Sequence, residues 1–273
     1  MVFSFFRKGP KSGSTGRGRA APVLTPGTRL YAVGDIHGRA DLLNNLHEQI
    51  IADAATADSS TRLVVLYLGD YVDRGLESRQ VIDLMLEDSF PGFERIFLKG
   101  NHEQVMLDFH RDPLDGRAWL QYGGRAALYS YGAGGEAVGE SDERLQKLHQ
   151  WFVKNLPDDH LDFLQNLALY HIEGDYLFVH AGIKPGMAVE KQGEQSLLWI
   201  RDEFTNSRKN HSFMVVHGHS ITEAPDCRPN RIGVDTGAFR SNILTCLVLE
   251  GEEQRFLATE PGVGAAIGAG SGL

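Results

Sequence analysis

The residues able to do chemistry recur at one kind of place, just after a short apolar run. RLYAV (29–33) leads into GDIHG, with Asp35 and His37. RLVVLYL (62–68) leads into GDYVDRG, with Asp70, Asp73 and Arg74. RIFLK (95–99) leads into GNHE, with Asn101 and His102. DYLFV (175–179) leads into HAG, with His180, and SFMVV (212–216) into HGHS, with His217 and His219. Taken singly, a Gly-Asp pair marks a turn, and a lone histidine at a strand end is more often structural. Five successive runs ending in metal-competent or charged groups require a common cause.

The donors are carboxylates, an amide and imidazoles, with no thiolate: Asp35, His37, Asp70, Asn101, His180 and one of His217 and His219. Mixed oxygen and nitrogen ligation suits Mn, Fe or Zn better than Ca or Mg. Six donors are too many for one open catalytic ion. They suit two divalent ions sharing a carboxylate at the roughly 3.5–4 Å separation of two-metal hydrolases. Asp70, from a middle segment with donors on both sides, is the expected bridge.

Apolar runs of this length bounded by glycine read as buried strands, and RIGV (231–234) and NILTCLVLE (242–250) add two more. Between the first three lie helical patterns, with Leu42, Leu43, Leu46, Ile50 and Ile51 in 39–54 and Val81, Ile82, Met85 and Leu86 in 78–90. Strands alternating with helices predict an α/β domain. Ligands bind beyond the carboxyl ends of strands in open sheets, and a single sheet is the simplest way to gather these groups. Residues 103–172 read as a helical cap insertion. Residues 1–28 and 261–273, rich in Gly with Ser or Pro, read as tails around a catalytic domain at 29–260. GAGGEAVG (132–139) misses the dinucleotide fingerprint, and no P-loop pattern is present.

A net charge of −9 argues against a dedicated nucleic-acid binder. Cys227 and Cys246 are expected to be reduced thiols, in line with a cytoplasmic location. Near the N-terminus the apolar residues Phe3, Phe5 and Phe6 precede Arg7 and Lys8, the reverse of a secretory signal. No stretch approaches the length of a membrane span, and so few apolar residues give at most transient membrane contact.

The blocks GDIHGR (34–39), GDYVDRG (69–75), GNHE (100–103), HAG (180–182) and GH (218–219) resemble the signatures of PPP-type serine/threonine protein phosphatases, within the calcineurin-like metallophosphoesterases. The resemblance covers roughly 29–250 and implies a β-sandwich flanked by helices, not one sheet. It implies Asp35, His37 and Asp70 on a first metal, with Asp70 bridging to a second completed by Asn101, His180 and His219. His217 is then expected to support a ligand from behind or to be structural. The resemblance further implies His102 as general acid, Asp73 as the carboxylate that orients it, and Arg74 as a phosphate clamp. Arg201, in LLWIRDEF (197–204), is a looser second clamp. The expected metals are two divalent ions, Mn first, with Fe or Zn as alternatives.

Asp73 and Glu103 distinguish the blocks from the GDLVARG and GNHD of symmetrical dinucleoside tetraphosphatases, which share HAGI (180–183). They favour the protein-phosphatase branch, particularly its bacterial members, whose cap WLQYGGRAALYSYG (119–132) resembles. The expected substrate is therefore phosphoserine or phosphothreonine in a protein or peptide. A dinucleoside tetraphosphate or a broad range of phosphoesters is the alternative. VDTGAF (234–239) replaces the SAPNY block of eukaryotic relatives, so no regulatory subunit is carried over. Trp119, Tyr122 and Arg125 are candidates for lining a substrate groove.

Overall fold

The structure, a computed structural model, describes residues 21–134 and 141–260. The expected C-terminal tail, most of the tail at 1–28 and most of the 132–139 glycine-rich stretch lie outside the described residues.

Two five-stranded sheets face each other. The first has the order β10-β9-β1-β2-β3, with β1 (Thr28–Val33), β2 (Arg62–Tyr67) and β3 (Phe93–Phe97) parallel and β9 (Thr245–Glu250) antiparallel to both of its neighbours, β1 and β10 (Glu253–Ala258). The second has the order β4-β5-β6-β8-β7. Here β5 (Tyr176–Val179), β6 (Met214–His217) and β8 (Arg231–Gly233) run parallel, and β4 (Tyr170–Glu173) and β7 (Asp226–Arg228) pair antiparallel at the edges. The fold is thus the metallophosphoesterase sandwich that the resemblance implied, and the single-sheet reading is corrected.

Strand alternation builds the layers. Leu30 and Ala32 of β1, Val64 and Leu66 of β2, Phe178 of β5, Val216 of β6 and Leu247 and Leu249 of β9 meet between the sheets. Their neighbours Tyr31, Val33, Val65, Tyr67, Cys246 and Val248 face outward into a second core. There they meet Leu42, Leu43, Leu46 and Ile50 of α1 (Ala40–Ala54) and Val81, Ile82 and Met85 of α2 (Ser78–Leu86). A third cluster under the second sheet joins Leu177, Val179 and Val215 to Leu197 of α8 (Glu194–Trp199) and Phe204 of α9 (Asp202–Thr205).

The cap begins with α3 (Asn101–Arg111). It continues through α4 (Gly116–Trp119), a π-turn at Leu120–Gly124, α5 (Arg125–Ser130), α6 (Asp142–Asn155) and α7 (Asp158–Gln165). Two boundaries differ from the sequence reading. The cap stops before residue 170, because β4 pairs with β5 through Tyr170–Val179 and Glu173–Tyr176. The N-terminal tail stops before residue 28, because Leu24 is buried in the inter-sheet core and its N–H bonds Gly251 O at 2.8 Å. Among the described residues neither Cys227 nor Cys246 is in a disulfide. Among the described residues no helix is long and apolar enough to cross a membrane.

One buried histidine ties helix to sheet. His47 of α1 pairs through Nε2 with Tyr67 Oη at 2.9 Å and packs on Phe90. Burial lowers its pKa to about 4. The unfolded chain takes up this proton near pH 6.5 and the folded chain does not. Stability therefore falls as pH drops from about 6.5 towards 4, by about 2 kcal/mol between pH 6.5 and 5. A His47→Gln variant should lose this share of acid sensitivity. Urea unfolding at pH 7 and pH 5 measures it, and an equal loss in both proteins would exclude His47 as the source.

Candidate metal centre

The parallel strands of both sheets end at one place. Asp35 follows β1, Asp70 follows β2, Asn101 opens α3 after β3, His180 follows β5 and His219 follows β6. All are buried. Asp70 sits in the middle, with Oδ2 3.4 Å from His37 Nε2 and 3.9 Å from His102 Nε2, and Oδ1 3.4 Å from His180 Nε2. Two groups could each hold a metal ion, His37–Asp70–His102 and Asp70–His180–His219, and Asp70 belongs to both. Asn101 Oδ1 lies 3.0 Å from His180 Nε2, which adds an amide oxygen on that side. Asp35 is joined to the cluster through Oδ2, which accepts the N–H of His219 at 2.9 Å. Gly218 makes this approach possible, since a Cβ there would collide with Asp35 Oδ1.

The histidine tautomers follow from their partners. Nδ1 of His37 lies 2.9 Å from Val72 O, and Nδ1 of His180 lies 2.9 Å from Leu68 O. A carbonyl only accepts, so each Nδ1 carries the proton and each Nε2 turns a lone pair towards Asp70. Lone pairs and carboxylate oxygens converge, and the hydrogen bonds to these carboxylates come from backbone N–H groups, His102 to Asp70 Oδ1 at 3.1 Å and His219 to Asp35 Oδ2 at 2.9 Å. Asp35 Oδ1, His37 Nε2 and His219 Nε2 are buried with no hydrogen-bond partner among the described residues. Such groups are costly to bury unless a cation joins them, so the residues fit two divalent ions.

The electrostatics agree. Burial lowers the pKa of His37 to about 3 and of His219 to about 2, and also lowers that of His180, so these imidazoles are neutral near pH 7. Burial works against a charge on Asp70, but His180, His102, His37 and His219 outweigh it and hold its carboxyl well below the usual range. Burial, with Asp235 and Asp70 alongside, pushes the Asp35 carboxyl well up.

The backbone is strained where it turns these groups inward. Five site residues take positive φ: His37 (48°), Asp70 (54°), Asp73 (74°), Arg74 (66°) and His219 (62°). Such conformations cost of order 1–3 kcal/mol each and persist when the surroundings over-determine them. Glu103 supplies part of that hold. Its carboxylate accepts the N–H groups of Gly100 and Asp70 at 2.9 Å and of Tyr71 at 2.8 Å, which locks the GDYV and GNHE turns together.

Beside the cluster, Asp73 Oδ2 accepts from His102 Nδ1 at 2.6 Å and from Trp119 Nε1 at 2.8 Å. Arg74 Nη2 lies 3.2 Å from His102 Nε2, and its guanidinium stands over the Phe239 ring at 4.8 Å. The cap reaches this dyad through WLQYGG. Gly123 O accepts the N–H of Arg74 at 3.3 Å, and its φ of 125° with a Cβ position 2.8 Å from Arg74 N requires glycine. Trp119 is therefore a positioning residue rather than a groove lining, while Tyr122 is exposed and Arg125 is half-buried.

Arg201 is exposed at the start of α9 and its charge acts on His180 and His219, but its side chain makes no hydrogen bond among the described residues. His217 stands apart, with Nδ1 2.9 Å from Gly218 O and its ring against Phe204. The sequence reading missed Asp235, which is buried after β8 and raised to about 6, first by burial and then by Asp70. The signal was the same as for the other donors, an acid directly after an apolar run in RIGVDTG.

Comparison with known proteins places this geometry. A symmetrical bis(5'-nucleosyl)-tetraphosphatase of Dechloromonas aromatica is 28% identical over 166 residues, 60% of this chain and 47% of the relative. The chain thus matches about half the length of that relative. A serine/threonine-protein phosphatase of Candida albicans is 34% identical over 82 residues, 30% of this chain and 18% of the relative. The crystal structure of a putative diadenosine tetraphosphatase shares the fold, with a TM-score of 0.56, 19% identity and coverage of 90% and 97%. The calcineurin-like phosphoesterase family matches residues 28–242, which carry every donor described above, and the chain belongs to that family.

Proposed function

We propose that this phosphoesterase hydrolyses phosphomonoesters of protein serine and threonine side chains at a two-metal centre. Asp35, His37 and Asp70 would hold one ion and Asp70, Asn101, His180 and His219 the other, with Mn²⁺ the preferred metal. When bound, two such ions acidify water and neutralise phosphate charge.

The observation that carries the choice of ester is the 2.6 Å bond from His102 Nδ1 to Asp73 Oδ2, braced by Trp119. A serine or threonine alkoxide is a poor leaving group and needs a proton as the bond breaks. His102 Nε2 faces the cluster and can supply it, with Asp73 fixing the ring and balancing the imidazolium charge. A nucleotide phosphate leaves without that help. Arg74, beside His102, is placed to hold a phosphoryl oxygen through its fork of donors. Arg201, on the rim, would add a second positive charge. Glu103 keeps the Asp70 turn in place throughout.

A second reading, cleavage of a dinucleoside tetraphosphate, is supported by the Dechloromonas relative. Metal-stripped protein given Mn²⁺ and offered a phosphoserine peptide and a dinucleoside tetraphosphate in parallel separates the two. The expected result is Mn-dependent phosphate release from the peptide with the dinucleotide intact. Preferential cleavage of the dinucleotide would transfer the function to nucleotide hydrolysis while keeping the centre.

A further inference from the structure

A cavity of about 630 Å³ lies at the edge of the second sheet, between the β7–β8 hairpin and the loop after α9. Its walls include Arg208, Arg228 and Arg231, with Asp226 the only acid among them. Arg228 and Arg231 stand directly opposite each other across the hairpin. Like charges facing across a ladder are destabilising unless something neutralises them. Asp226 does so in part, because Oδ1 accepts from Arg228 Nε at 2.6 Å and Oδ2 from Arg231 Nη2 at 2.8 Å. One carboxylate thus faces two guanidiniums, and Arg208 brings a third without an ion pair among the described residues.

Arg231 is the anchor. Its side chain is 7% exposed and its Nε has no hydrogen-bond partner among the described residues. Arg231 is buried and shares its carboxylate partner with Arg228, so the pair keeps a positive charge that no other acid in the walls neutralises. The walls are tied in place: Asn230 Nδ2 donates to Ser207 O at 3.0 Å and to Lys209 O at 2.8 Å, pinning the hairpin turn to the loop. The volume suits a small organic ligand, and guanidinium forks match phosphate oxygens.

We propose that this cavity is a second anion site, which binds a phosphate-bearing small molecule through Arg208, Arg228 and Arg231. It is distinct from the metal-ligand cluster. Arg231 opens β8 while Asp235 follows its far end, four residues and about 13 Å of extended chain away. The proposal therefore does not depend on which phosphoester the centre cleaves.

Calorimetric titration of the metal-loaded protein with inorganic phosphate counts the sites. A parallel titration uses the methylenephosphonate analogue of adenosine 5'-monophosphate, whose P–C bond resists hydrolysis. The wild type should bind two equivalents. A double Arg208→Gln, Arg228→Gln variant, altered at exposed positions, should bind one, the other weakened by roughly 100-fold or more through loss of two charged hydrogen-bonding groups. Its rate of phosphate release should match wild type. Tighter binding of the analogue would identify a nucleotide as the ligand class, and tighter binding of phosphate a free anion. One equivalent in the wild type, or two of unchanged affinity in the variant, would overturn the proposal. Arg231→Gln is a weaker probe, since removing a buried partner of Asp226 can unfold the hairpin.

Discussion

Asp70→Asn should lose metal from both positions and hydrolytic activity with it. The substitution is chosen to keep everything but the charge. Asparagine tolerates the positive φ of 54° found at this position, and the backbone N–H that Glu103 accepts is untouched. What disappears is the anion between His37 on one side and His180 on the other. A bridging carboxylate serves two ions at once, so neither half of the cluster retains its full donor set. Turnover should fall by roughly 10³-fold or more, the scale of removing a principal electrostatic stabiliser. Metal content by elemental analysis is the deciding readout, with circular dichroism to show that the fold persists. Two full equivalents of metal in the variant would end the bridging role, whatever happened to the rate.

His102→Asn should slow release from a phosphoserine peptide by roughly 10²–10⁴-fold, the usual contribution of a positioned general acid, with metal content unchanged. Burial disfavours the imidazolium, but Asp70 and the bond to Asp73 outweigh it and raise the His102 pKa to about 9. Arg74 opposes that, and bound cations would oppose it further. The effect should depend on the leaving group. An aryl phosphate with an acidic phenol departs without a proton and should be slowed far less than the peptide. Asp73→Asn should show the same pattern in weaker form, because it disturbs the ring's orientation but leaves the acid in place. Equal slowing of both esters would remove the proton-donor role. Loss of metal from His102→Asn would make His102 a ligand, since its Nε2 lies 3.9 Å from Asp70 Oδ2.

The donor set was legible in the sequence because each member sits in a turn, directly after an apolar run and beside glycine. There the local pattern shows both the strand and the polar group that ends it. Asp235 obeys the same rule, directly after the apolar run RIGV. Glu103 was visible as a block residue and Trp119 as a candidate groove lining, but neither in the positioning role it plays. Their work is done through contacts across 32 and 46 residues, to Tyr71 and Asp73, which no local pattern encodes.

The layer arrangement was likewise beyond local reading. Central strands of both sheets are covered on both faces, so β1, β2, β5 and β9 read as unbroken apolar runs. Such runs do not say whether the covering layer is a helix or another sheet. β4, β7 and β10, at the sheet edges, carry too little apolar sequence to announce themselves. The sequence by itself determined which chemical groups this protein brings to its strand ends. The tertiary structure decided that two sheets, not one, deliver them to a single centre, because only packing across the sandwich puts His180 and His219 against Asp70.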